Sequence, residues 1–134
     1  MTAKEYLQQI RAIKERVQIA KEEVETIEAK LGAQAINYST DPKGQGDTEK
    51  QAHLIYRLID AKDKLIAQQL ELILKEAEIR DKLFELKDGK EIQVLYLRYF
   101  KLLKFNEIAE QMCYSDRRIR ELHYFGLLDL QDKL

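Results

Sequence analysis

The sequence predicts an all-α protein, and three observations carry that prediction. Apolar residues return at steps of three and four along most of the chain. Gly and Pro are scarce, at 5 and 1 of 134 residues. Thr followed three residues later by Glu or Gln marks two helix starts. The expected architecture is a long N-terminal antiparallel helical hairpin, a coiled coil over residues 1–88, followed by a three-helix module over 89–134.

Thr2 and Glu5 open the first helix with the spacing of a capping box, hydroxyl and carboxylate each reaching a backbone amide that the helix leaves unpaired. Tyr6, Ile10, Ile13, Val17, Ala20, Val24, Ile27 and Leu31 then alternate steps of four and three, which sets one seam of period 3.5. Gly32 is expected to end this helix. The turn-forming Asn37, Ser39, Thr40, Asp41, Pro42, Gly44 and Gly46 mark 33–47 as a flexible loop, long enough to reverse the chain. Thr48 and Gln51 repeat the capping box. No Gly or Pro follows until Gly89, a span of about 60 Å if helical.

Within that second helix Leu58, Leu65, Leu72, Ile79 and Leu86 recur every seven residues. Ile55, Ile59, Ile66, Ile73 and Leu83 widen the seam beyond what one partner helix covers. Around Leu70 to Leu74 the apolar residues wrap most of the circumference, so burial on more than one side is expected. Self-association through Leu58, Leu65, Leu72 and Ile73, or docking of the C-terminal module, would supply it.

Gly89 interrupts the pattern and Asp88 lies three residues before Glu91, so a third helix is expected from Lys90 to about Leu102, burying Ile92, Leu95, Tyr99 and Leu102. Phe105, Ile108, Ala109 and Met112 give a helix of two turns. Cys113 and Tyr114 fill a brief turn, and Ser115 caps a final helix that reaches near Lys133, with Ile119, Leu122, Leu127 and Leu130 inward and Asp116 at the positive end of its dipole.

Charge and residue inventory exclude several classes of function. Lys and Arg number 23 against 24 Asp and Glu, so bulk polyanion binding is excluded and any such binding is local. The balance is uneven: residues 1–89 hold 15 basic and 17 acidic groups, whereas Lys90 to Gly126 holds seven basic against five acidic. No apolar run approaches the roughly 20 residues of a membrane span, and none of a signal peptide follows Met1. One cysteine, Cys113, forms no internal disulfide and is expected as a small core residue at its turn, in a reducing cytoplasm. His53 and His123 are far apart in sequence, so no metal or cofactor is assigned. Gly44-Gln45-Gly46 lacks the strand and the Gly-Lys-Ser/Thr of a phosphate loop. No catalytic constellation stands out, and an enzyme is not expected.

Leu97-Arg98-Tyr99-Phe100, then Phe105 to Met112, then Ser115 to Leu122, resembles the helix-turn-helix of sigma-factor region four. With a helical hairpin ahead of it, the chain is similar to small phage-encoded transcriptional regulators, broadly the RinA and ArpU type. The resemblance implies a sequence-specific regulator in the cytoplasm of a bacterial host, binding double-stranded DNA with the last helix in the major groove and acting alongside host RNA polymerase. Carried over residue by residue, Asp116, Arg117, Arg120 and Glu121 are the base-reading candidates. Lys104, Ser115 and Arg118 are the phosphate contacts. Two departures stand out. Cys113 occupies a turn position where the family usually has Gly, and Tyr124 and Phe125 are bulky for the end of a recognition helix. Phe125 is expected to pack on the hairpin, while Tyr124 is open either way. Two other functions fit the same elements: a structural DNA-packaging adaptor resembling small terminase subunits, and a coiled-coil protein-interaction module.

Overall fold

A computed structural model describes residues 1–40 and 45–134, with side chains described for 1–33 and 48–134. The described residues form five helices and no strand: α1 (Ala3–Thr40), α2 (Gln45–Leu83), α3 (Gly89–Tyr99), α4 (Phe105–Met112) and α5 (Asp116–Lys133). Among them no helix is long and apolar enough to cross a membrane.

The first capping box forms. Thr2 Oγ1 accepts from the Glu5 amide at 3.2 Å and Glu5 Oε2 accepts from the Thr2 amide at 3.4 Å. The helix it opens does not stop at Gly32. One interior glycine weakens a helix by about 1 kcal/mol relative to Ala, too little to end a helix whose seam is packed on either side. No glycine of the described residues adopts a positive φ, so Gly32 makes no left-handed cap. The connection between the long helices is therefore shorter than 33–47. Residues 41–44, and with them the expected flexibility, lie outside the described residues.

The chain divides into two compact units, residues 15–71 in one and residues 1–14 with 72–134 in the other, rather than at the expected boundary of 88/89. The reason is packing. The first turns of α1 and the end of α2 belong to the same core as α3 and α5: Ala3, Leu7, Ile10, Ile79, Leu83, Leu86, Leu95, Tyr99, Phe100 and Leu130 are buried together. Polar contacts fasten it further. The Ala3 amide donates to Gln131 Oε1 at 2.7 Å, and the Lys14 ammonium donates to the Phe100 carbonyl while lying 4.0 Å from Glu76.

In the 15–71 unit α1 and α2 pack through Val24, Ile27 and Ala61, with Leu31, Leu54, Leu58 and Leu65 half-buried against them. Arg16 meets Glu71 at 2.9 Å and Gln68 at 3.1 Å, and Lys62 meets Glu28 at 3.6 Å. Three of the four residues expected at a self-association surface are thus engaged within the chain: Leu58 and Leu65 here, and Leu72 on the larger core of the other unit. Ile73 is exposed, as are Ile55, Ile59, Ile66, Leu70 and Leu74. Of the apolar residues at 70–74, Leu72 is partly covered and Leu70, Ile73 and Leu74 are left exposed by the described residues.

Candidate nucleic-acid interface

Three short helices frame the site, and each boundary has a local cause. Asp88 caps α3 by accepting from the Lys90 amide at 2.9 Å, so Gly89 begins this helix instead of merely breaking the one before. The helix ends at Tyr99, earlier than expected, because Leu102 adopts φ 56° and turns the chain. Leu102 is consequently exposed, whereas Val94, Leu97 and Phe100 fill the interior. Glu107 Oε1 accepts from the Lys104 amide at 3.3 Å at the start of α4. Cys113 ends that helix in the left-handed region, at φ 60° and ψ 40°, its amide reaching the carbonyls of Ala109 and Glu110. The thiol is exposed, which corrects the expectation of a core cysteine.

Ser115 then caps α5, its Oγ accepting from the Arg118 amide at 3.1 Å. All three helices pack on one another around Val94, Leu97, Ile108, Ala109, Ile119 and Leu122. Further along, α5 passes so close to α3 that a Cβ at Gly126 would meet Leu95 Cδ1 at 3.1 Å. Glycine is the residue that permits this approach.

With Ile119 and Leu122 inward, the other side of α5 is exposed. Arg117, Arg120, Glu121, Tyr124 and Phe125 line one shallow groove there, the i, i+3, i+4, i+7, i+8 face of the helix. Three of the four base-reading candidates lie in it, and Asp116 stands just ahead at the helix N-terminus. Arg117 is 91% exposed. Glu121 holds both Arg117, at 3.4 Å, and Arg118, at 3.6 Å, along the helix surface. Surface pairs of this kind contribute about 0–1 kcal/mol, so a phosphate or base edge can displace them.

Phe125 does not pack inward. It and Tyr124 are exposed and meet edge to face, ring centroids 5.5 Å apart. Both belong to the candidate face, a placement that the spacing from Arg117 already encodes.

Arg120 and Arg98 both lie over the Phe105 ring, at 5.0 and 4.5 Å from its centroid, and Arg98 also donates to the Leu103 carbonyl at 2.9 Å. His123 packs on Phe105 in a T-shaped contact, ring centroids 5.0 Å apart, and stacks on Tyr99, sharing a 2.8 Å hydrogen bond between Nε2 and the Tyr99 hydroxyl. Burial first, then the charges of Arg98 and Lys4, push His123 down to about 4, so the ring is neutral at pH 7. Burial likewise raises the Tyr99 hydroxyl.

Lys104 lies in a different cleft from the α5 groove, so this phosphate candidate does not share a pocket with the base candidates. Among the described residues no three His, Cys, Asp or Glu side chains gather as metal ligands. No protein-family model, curated protein or solved structure matches the chain.

Proposed function

We propose that the protein is a sequence-specific DNA-binding transcriptional regulator, with α4, the turn at 113–115 and α5 acting as a helix-turn-helix and α5 entering the major groove. The observation that carries this reading is the two-sidedness of α5. Ile119 and Leu122 anchor it in the core, and Arg117, Arg120 and Glu121 stand on a free face in its first two turns. An arginine so placed reaches guanine O6 and N7 without moving the helix from its scaffold. The cap at Ser115 supports the reading, since it leaves the α5 N-terminus rigid and its hydroxyl proton available to a phosphate. The left-handed Cys113 supports it as well, because it gives the tight turn such a motif needs.

The resemblance to phage-encoded regulators adds a bacterial cytoplasm and host RNA polymerase as the setting. The exposed Ile55, Ile59, Ile66 and Leu70 favour a homo-oligomer formed through α2. A packaging adaptor would use the same elements, and the stoichiometry separates the two. A dimer by sedimentation, weakened by Ile66→Asp, fits the regulator; a ring-sized assembly fits the adaptor.

The test of DNA reading is a salt titration on cognate and scrambled duplexes. Arg120→Ala is expected to weaken binding at the preferred site by about 1–3 kcal/mol and to relax choice at one base pair. Lys104→Ala is expected to weaken binding to every duplex alike and to lower the salt slope by about one unit. Wild-type binding indifferent to sequence, unchanged in both variants, rejects the regulator.

A further inference from the structure

A second feature lies away from the α5 groove. Lys4 and Arg11 of α1, Arg98 of α3 and Lys104 ahead of α4 line one cleft of about 340 Å³ whose wall includes Tyr99 and His123. No Asp or Glu is among its lining residues, although carboxylates outnumber cationic side chains in the chain as a whole. We propose that this cleft is a binding site for a phosphate-bearing anion.

Four cations around one concavity repel one another, and an anion seated among them relieves that repulsion. The cations are of two useful kinds. Arg98 is held in place by the Leu103 carbonyl and the Phe105 ring, so its guanidinium is oriented before any ligand arrives. Lys4 and Lys104, exposed and on flexible stems, take part in no ion pair among the described residues and can close on a ligand from either side. Neutral His123 and the Tyr99 hydroxyl share one hydrogen bond, which leaves the pair one proton to donate to a phosphoryl oxygen without adding charge. The volume lies near the lower end of the range for ligand clefts, which suits a phosphate or pyrophosphate group better than a large organic molecule. The Phe105 ring already has Arg98, Arg120 and His123 as close neighbours, at 4.5, 5.0 and 5.0 Å from its centroid, so the site favours phosphate recognition over base stacking. The phosphate can come from a free polyphosphate or from the backbone of a nucleic acid.

His123 provides a reporter inside the cleft, and exposed His53, the other histidine, provides a control. Because Arg98 and Lys4 help to hold His123 at about 4, an anion between them raises it. In an NMR pH titration of the full chain, inorganic pyrophosphate at about 5 mM is expected to raise the His123 midpoint by roughly half a pH unit or more, with His53 unmoved. In the double variant Lys4→Gln, Arg11→Gln, both at exposed positions, the pyrophosphate-dependent increment is expected to fall at least about fivefold. Retained helical content and a retained Tyr99–His123 contact show that the variant is folded. A short duplex that displaces pyrophosphate supports the site with nucleic acid as its source. A duplex that fails to displace it supports the site with a free polyphosphate. The pyrophosphate arm contains no DNA, so its result is independent of the regulator reading. A His123 midpoint indifferent to both pyrophosphate and duplex overturns the proposal.

Discussion

The two compact units use the same kind of helix and reach very different packing. Among the described residues of 15–71, Val24, Ile27 and Ala61 are buried in the core, and Leu54, Leu58 and Leu65 are only half covered. In the other unit two adjoining cores enclose Leu7, Ile10, Ile79, Leu83, Leu95, Ile108, Ile119, Leu122 and Leu130 almost completely. Two helices alone present one seam to each other, whereas helices that meet at several angles bury most of their circumference. The lesson is that a heptad repeat fixes which face is apolar and leaves open how much of it will be covered.

The largest expected effect sharpens this contrast. Leu95 is fully buried where α3, α1 and α2 share a core, and Leu95→Ala is expected to destabilise its unit by about 2–5 kcal/mol. Leu58→Ala, half-buried on the thin core, is expected to lose about 1 kcal/mol. Native-state hydrogen exchange read separately over 15–71 and 89–134 checks both. Equal losses for the two variants would break the comparison.

A smaller effect concerns pH and belongs to the densely packed unit. Glu91 is buried at 7% exposure with Oε2 lacking a hydrogen-bond partner. Burial first, then its hydrogen bond to Asp129 and the charges of Asp129 and Asp88, raise it to about 7, against a lowering by Arg118. Its folded value exceeds the unfolded one, so its contribution is fully present below about 4.5 and is lost as pH rises to 7. His123 runs the other way. Its folded value of about 4 lies below the ordinary 6.5, so its contribution is present above 6.5 and is lost as pH falls to 4. The two windows overlap and the slopes oppose, which predicts nearly flat stability between about pH 5 and 6.5 in the wild type. Glu91→Gln is expected to unmask a loss on acidification of roughly 1–2 kcal/mol, and His123→Gln a gain of similar size. Urea unfolding across the range checks the signs, and matching slopes in the two variants would show that the groups do not oppose.

Several of these features were legible in the sequence, and the reason others were not is physical. Thr2, Glu5, Asp88 and Ser115 act within one helical turn, so their caps could be read from spacing alone. The inward set Ile108, Ala109, Ile119 and Leu122 followed from the period of short helices. Gly32 misled because propensity is a weak local term in a long packed helix. Leu58, Leu65 and Leu72 were expected under a second copy or under the C-terminal module and are partly covered by cores within the chain, since spacing identifies a face and not its partner. The cleft was invisible for a related reason. Lys4 and Arg11 are separated from Arg98 and Lys104 by most of the chain, and only the return of α2 brings them together.

The smallest expected effect isolates one backbone position at the candidate interface. Cys113 holds φ 60° and ψ 40°, a conformation that places Cβ near the following carbonyl and disfavours any residue with a side chain by roughly 1–2 kcal/mol. The exposed thiol offers little in return: its contact with the Glu110 carbonyl is 3.9 Å long. Cys113→Gly removes the strain but widens the conformational range of the unfolded chain, which offsets about 0.5–1 kcal/mol of the gain. The net expectation is a stabilisation of up to about 1 kcal/mol, confined to residues 89–134 and invisible in 15–71. Cys113→Ala separates the causes, since it discards the thiol while keeping the Cβ and should leave stability within about 0.5 kcal/mol of wild type. A stabilised Cys113→Gly with unchanged DNA affinity would mean that the turn is already fixed by its packing. Weakened DNA affinity in Cys113→Gly alone would mean that the strained turn helps hold α5 at its reading angle, making it a place where the dense unit gives up stability for function.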